Sequence, residues 1–325
     1  MGVLGALCGG GKAATAPAVL RWAMRPDEPD PNDDVPIPYM ARTRAYYAAL
    51  GFEAPYRWAH YGDAPFTPLR KALRDCTIAL VTTAAPYQPD KGDQGPGAPY
   101  NGAAKFFAVY SGPSGGEMPD LRISHIAYDR DHTSAADQAT FFPLRQLRLA
   151  AERGRIGRVA SRFHGVPTNR SHRTTMETDA PELLARLRED GADAAIFVPN
   201  CPVCHQSVTL AARHIEAAGI PTLVMGCAKD IVEHAGAPRF LFSDFPLGNS
   251  AGKPDDLVSQ DETLEFALRL LEGAPGPRTT LASPLRWSDD PGWKSDYASV
   301  AKLSPAEIAS RRAEFDRQKH AAKGV

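Results

Sequence analysis

The chain has 325 residues, 43% hydrophobic and 23% charged, which is the balance of an ordinary globular protein of one large or two modest domains. Its formal net charge of -1 supplies no bulk attraction to nucleic acid or to an anionic membrane surface. No run approaches the roughly 20 apolar residues that cross a bilayer, so neither nucleic acid nor membrane is an expected partner.

Residues 1–38 read as a flexible leader that ends in an acidic, proline-rich linker from Arg25 to Asp34. The start, Met1 to Lys12, suggests three motifs and completes none. Ala6 stands where myristoylation needs Ser or Thr. The apolar stretch before Cys8 is short for a lipoprotein signal. Ala13, not Ser or Thr, follows Lys12, as a phosphate loop would not allow. A cytoplasmic protein is therefore expected. The second segment, 39–76, pairs a helix over Tyr39–Leu50 with an aromatic, Pro-broken wrapping stretch.

The regular core is expected over 77–273. Ile78–Thr83 reads as a buried strand, followed by a Gly/Pro-rich loop from Pro86 to Gly102. Leu121–Ile126 reads as a second strand, and Leu144–Arg153 as a helix. Arg158–His164 is a strand and Pro181–Asp190 a helix. Ala194–Val198 is a short apolar strand, with a helical pattern after it over His205–Ala218. Then come a strand over Pro221–Gly226, a helix over Ala228–Ala235, a strand over Arg239–Phe242 and an amphipathic helix over 257–273. Residues 274–325 form a tail with a terminal helix, Pro305–Ala322. Alternating strands and helices predict an α/β fold: a mostly parallel, doubly wound (flavodoxin/Rossmann-like) sheet with irregular N- and C-terminal extensions. In such sheets the ligand site gathers at the carboxyl ends of the strands. Four loops qualify, after Thr83, Ile126, Val198 and Gly226. The extended, proline-rich ends suit wrapping around a second copy, so a homo-oligomer is expected.

The third of these loops carries Cys201-Pro-Val-Cys204, two thiols at a strand-to-helix turn. A helix N-terminus favours negative charge and lowers a thiol's pKa. In a reducing compartment such a pair is redox-active, metal-binding or structural. As a redox pair, Cys201 and Cys204 are the catalytic candidates, with a small-molecule substrate. As a metal site, for zinc or iron, Cys201 and Cys204 are ligands and Cys227, at the end of the next strand, is a candidate third; otherwise Cys227 packs as a small apolar residue. His205 follows the pair directly and is placed to donate to a thiolate. His125, Asp129 and His132, crowded into one loop with Arg130, are candidates for acid–base work or substrate binding. Gly248 to Pro254 is similar to a phosphate loop in composition only, and there is no Gly-x-Gly-x-x-Gly after a strand, so a nucleotide cofactor has little support.

Several phrases taken in order carry a resemblance. They are Ile78-Ala-Leu-Val-Thr-Thr-Ala, Ser124-His125-Ile-Ala-Tyr-Asp129, Phe142-Pro143-Leu144-Arg-Gln-Leu147, Ile156-Gly157, and Asp193-Ala-Ala-Ile before Cys201-x-x-Cys204. Ala218-Gly219-Ile220-Pro221-Thr222, Phe245-Pro246-Leu247-Gly248 and Gly252-Lys253-Pro254 complete the set. Together they resemble the selenoprotein B family of the glycine, sarcosine, betaine and D-proline reductases, over roughly residues 75–265. The resemblance implies a dithiol-dependent reductase that cleaves a carbon–nitrogen bond of a small molecule. It puts Cys201 at the selenocysteine position and Cys204 at its partner, with Ser207 where a further cysteine often stands. It also implies a thioredoxin-like or other dithiol donor, and a pyruvoyl group carried on a separate subunit.

Overall fold

The computed structural model describes residues 35–321 apart from 53, 126, 301 and 302. Most of the expected leader, residues 1–34, thus lies outside the described residues. Among the described residues, ten strands follow in chain order: β1 Thr77–Thr82, β2 Ala85–Pro86, β3 Tyr110–Pro113, β4 Leu121–Arg122, β5 Arg158–Val159, β6 Arg162–Gly165, β7 Ala194–Val198, β8 Thr222–Gly226, β9 Arg239–Phe242 and β10 Thr279–Ala282. The helices that matter here are α1 Tyr39–Ala49, α2 Leu144–Glu152, α3 Ala180–Glu189, α4 Pro202–Ala217, α5 Lys229–Ala235, α6 Leu257–Gly273 and α7 Pro305–Ala321. Among the described residues, no helix is long and apolar enough to cross a membrane.

The sheet runs β10-β9-β8-β7-β1-β6-β3, with β5 also paired to β1. Every pairing is parallel except β3 with β6. The expected mostly parallel α/β architecture is therefore what forms. All six residues of β1 are buried, because helices cover both faces. Ile78 and Leu80 point to one side, against Leu144 and Leu147 of α2 and Leu264 and Leu268 of α6. Ala79 and Val81 point to the other, against Leu183 and Leu187 of α3 and Val208 and Ala211 of α4. The period-two alternation of a strand thus feeds two cores, one per face.

Three expectations change. The strand over Leu121–Ile126 does not join the main sheet. Among its described residues, Leu121–Arg122 alone forms a strand, antiparallel to Ala85–Pro86 in a separate ribbon. Both edges of β1 are already taken, by β7 and by β6 with β5, so the segment finds no place beside β1. The strand over Arg158–His164 is two pieces. Val159 pairs with Ile78 and His164 with Val81, so five steps along one strand match three along the other and the ladder bulges. Finally, β3 and β10 extend the sheet at its two ends. β10 grows from residues that read as tail, and it pairs in register with β9 from Thr279↔Arg239 to Ala282↔Phe242.

One buried ion pair ties the irregular segment before β1 to this frame. Arg239 and Glu216, essentially unexposed, meet at 2.8 Å. Glu216 also accepts from the backbone N–H of Thr67, and Arg239 donates to the Thr67 carbonyl at 2.8 Å.

Candidate functional site

Within the main sheet the chain leaves β1 toward the β6–β3 side and leaves β7 toward β8 on the other. The exits of these two neighbouring strands diverge, and such a switch point opens a crevice at the carboxyl end of the sheet. The loop after β7 enters it. Thr83 Oγ1 accepts from the Asn200 N–H at 3.1 Å, and Ser250 Oγ donates to the Pro199 carbonyl at 2.8 Å. The Gly248 to Gly252 segment is thus scaffolding beneath the loop. At Gly252, φ is +134° and a Cβ would stand 2.7 Å from Gln260 Cα, so only glycine fits.

Helix α4 starts at Pro202, three residues before the expected start. Proline at this position loses nothing, since its missing N–H has no helical partner. Cys201 becomes the N-cap residue, and its Sγ accepts from the Cys204 N–H at 3.3 Å. The Cα atoms of Cys201 and Cys204 are 5.0 Å apart and the two sulfurs lie at disulfide distance. Cys204 is wholly buried, while Cys201 keeps 5% of its surface. Thr168 Oγ1 donates to Cys204 Sγ at 3.3 Å.

Three further positions set the shape. His125 is buried, and its Nε2 lies 2.8 Å from the Thr83 carbonyl. A carbonyl only accepts, so the ring proton sits on Nε2 and Nδ1 keeps its lone pair. Burial, with Lys105 and Arg130 nearby, lowers the His125 pKa to about 4. One ring nitrogen of His125 and the sulfurs of Cys201 and Cys204 all lie within 4.8 Å of one another. The crevice therefore brings His125 to the pair, although its loop does not follow a strand of the main sheet.

His205 is also buried, but it does not reach the sulfurs as a donor. Its Nδ1 meets the Cys201 carbonyl at 2.7 Å, and its Nε2 accepts from the Cys227 N–H at 2.9 Å. Both ring nitrogens are spent on backbone, so His205 is a strut between the loops after β7 and β8. Burial lowers its pKa to about 4. Gly226 makes room for it, since a Cβ there would stand 2.7 Å from His205 Cδ2. Cys227 is held away from the pair. Its thiol faces Ser250 Oγ at 3.6 Å and the Pro246 carbonyl at 3.9 Å, and burial pushes it up to about 12. It lies outside the cluster that the two sulfurs make with the His125 ring.

Asp129 and His132 shape the wall. The buried Asp129 carboxylate accepts from the backbone N–H groups of Asp131 and His132 and faces His132 Nδ1 at 2.9 Å. Burial raises its pKa. His132 Nε2 faces Asp296 at 3.2 Å, so this pair fastens the loop to the tail, and Tyr297 donates to the Ala127 carbonyl at 3.0 Å. Arg130 stacks 3.9 Å over Tyr128 and donates to the His125 carbonyl at 2.9 Å.

These segments enclose a cavity of about 320 Å³ in front of Cys201. His125, Asp129 and Thr168 line it, with Tyr46 and Tyr47 of α1, Tyr56, Tyr100 and, from the tail, Tyr297. His132, His205 and Cys204 do not. Lys105 and Arg170 line it as well. Burial, reinforced by Arg170, lowers the Lys105 pKa to about 8. The guanidinium of Arg170 lies 5.7 Å over both Tyr47 and Tyr56. The sequence reading missed these two cations and the tyrosines. Their only signal was a density of aromatic residues in Pro-broken segments without periodicity. A cavity that opens onto Cys201, with cations beside its aromatic wall, can hold a small anion against that sulfur.

No family model matches the chain, and no solved structure matches it. Among curated proteins, it is 29% identical over 224 residues to the D-proline reductase subunit gamma of Acetoanaerobium sticklandii, covering 68% of this chain and 89% of that protein. It is 27% identical over 225 residues to the glycine reductase complex component B subunit gamma of Carboxydothermus hydrogenoformans, covering 68% of this chain and 49% of that protein. It is 26% identical over 191 residues to the betaine reductase complex component B subunit beta of Peptoclostridium acidaminophilum, covering 57% and 42%. The chain thus spans most of the first relative and about half the length of the others.

Proposed function

We propose, from the premise that this chain is a homologue of D-proline, glycine, betaine and sarcosine reductase subunits, that it is the thiol-bearing component of a reductase acting on a small molecule. The observation that carries the reading is an asymmetry. Cys201 opens onto the cavity, whereas Cys204 is sealed behind it within bonding reach. Cys201 is then the sulfur that meets substrate, and Cys204 the one that resolves. The helix N-terminus and the Cys204 N–H favour negative charge on Cys201. Thr168 does the same for Cys204.

A carbon–nitrogen bond of the substrate breaks and each end gains a hydrogen. The two electrons and two protons come from the Cys201 and Cys204 thiols, which join as a disulfide. An external dithiol, thioredoxin-like or other, reduces the disulfide by exchange through a mixed disulfide. The names of the relatives point to small amino acids and betaine, all carboxylates. Lys105 and Arg170 supply the matching charge, with tyrosine faces around them. A partner subunit that activates the amine is part of the proposal, since the relatives are named as subunits of complexes.

The test uses Cys204→Ser and Cys201→Ser separately, each incubated with the dithiol donor and with the candidate carboxylates. A mixed disulfide or substrate adduct should accumulate on Cys201 in Cys204→Ser and be absent from Cys201→Ser. Equal trapping in both variants, or full turnover by both, overturns the assignment.

A further inference from the structure

We infer that the reduced Cys201 and Cys204, together with His125, form a three-ligand site for a soft divalent cation, zinc foremost, and that disulfide formation expels the ion.

The ligand atoms converge from two separate loops, within 4.8 Å of one another, and all three residues are buried. Zinc bound at about 2.3 Å to sulfur and about 2.0–2.1 Å to nitrogen in a tetrahedron holds its ligand atoms about 3.6–3.8 Å apart. The observed spread contains that spacing once the two sulfurs separate on reduction. The tautomer sets which nitrogen would serve. His125 gives its Nε2 proton to the Thr83 carbonyl, so the lone pair left for a metal is on Nδ1. Metal-bound histidines are generally anchored in this way through the other ring nitrogen. Each sulfur has its own donor, the Cys204 N–H for Cys201 and the Thr168 hydroxyl for Cys204. Two thiolates and a neutral imidazole around a divalent ion sum to zero charge, which suits a buried place. Nitrogen and sulfur donors select zinc over magnesium or calcium. His125 and Cys201 both line the cavity, so a fourth position faces it and three protein ligands leave that position open.

The exchange balances. Loading the reduced pair releases two protons from the thiols. Oxidation by a low-molecular-weight disulfide takes two electrons from the bound thiolates, forms the Cys201–Cys204 bond, consumes two protons, and yields two small thiols and the free ion. The metal site stands on the ligand set alone, whereas the expulsion step rests on the dithiol reading.

The probe is cobalt(II), added anaerobically to the reduced full-length chain. The expected result is one ion per chain, a near-ultraviolet thiolate-to-cobalt band and the visible bands of a four-coordinate site. Thr168→Val should weaken binding roughly ten- to a hundredfold, and His125→Ala at least as much, with two thiols still counted at this site in each. Oxidised wild type should show no band and regain it on reduction, a comparison that needs no variant to fold. Absence of the band in reduced wild type, or an unchanged spectrum and affinity in His125→Ala, overturns the site. A band that survives disulfide reagents, with the thiols never oxidising, overturns the expulsion step and the dithiol reading while leaving the site in place.

Discussion

The strut at His205 gives the sharpest stability prediction. The imidazole is buried, neutral and bonded at both nitrogens to backbone, to the Cys201 carbonyl at 2.7 Å and from the Cys227 N–H at 2.9 Å. In His205→Asn the side-chain amide can still donate toward Cys201, but the Cys227 N–H loses its acceptor. Stranding one buried donor costs about 1–3 kcal/mol, so unfolding in urea at pH 7.5 should show a loss of that size. The pH dependence adds an independent number. A histidine whose folded pKa is about 4, against about 6.5 in an unfolded chain, binds its proton only after unfolding through this interval. Its contribution is complete above pH 6.5 and is lost as pH falls toward 4, by about 3 kcal/mol in all. Near pH 5 it adds about 1.2 kcal/mol per pH unit to the slope of stability against pH. His125, also lowered to about 4, adds a similar amount. His205→Asn should therefore remove about half of the slope that these two histidines contribute and leave the His125 share. An unchanged slope, or a loss under about 0.5 kcal/mol at pH 7.5, would refute the strut.

Other consequences are quicker to check. Gly226→Ala should push His205 off its partners, costing about 1–3 kcal/mol and speeding alkylation of Cys201 in the reduced protein. Thr168→Val removes a donor from Cys204 Sγ worth about 1 kcal/mol, which favours the disulfide and should move the pair's midpoint potential about 20 mV more negative. Arg239→Met leaves the Glu216 carboxylate buried without its partner and should cost about 3–5 kcal/mol in urea unfolding. Lys105→Met should weaken binding of small carboxylates in equilibrium dialysis. With wild type, the same affinity should decline as pH rises past about 8, where the Lys105 amine gives up its proton.

The strands at the centre of the sheet were legible because each is a short apolar run bounded by turn residues. Ala194–Val198 matches its expected limits, and β1 and β8 differ by a residue. The pair of cysteines was legible for the same reason, since such a run ends directly before it. What the sequence hid depends on pairing rather than pattern. Leu121–Ile126 has the composition of a strand, but its first residues pair with Ala85–Pro86 outside the main sheet, where both edges of β1 are occupied. Residues 279–282 have no strand signal stronger than Thr-Thr-Leu-Ala, and β9 recruits them because its outer edge is free. The site shows the same division. Ligand-capable residues at Cys201, Cys204 and His125 could be named, but not that His205 turns toward backbone or that Cys227 faces Ser250. Lys105, Arg170 and the tyrosines lie in irregular segments, where position is set by tertiary contact and no periodicity announces it.

The central claim is that Cys201 and Cys204 form one reversible two-electron couple with unequal sulfurs. Equilibrating the protein in a graded series of dithiol/disulfide buffers, then alkylating and weighing it, reads the couple directly. The account predicts a single two-electron transition in which Cys201 and Cys204 gain or lose their label together. In a timed pulse on the reduced form, Cys201 should be labelled well ahead of Cys204. Thiols that titrate independently, or a pair that stays reduced across the whole series, would contradict it.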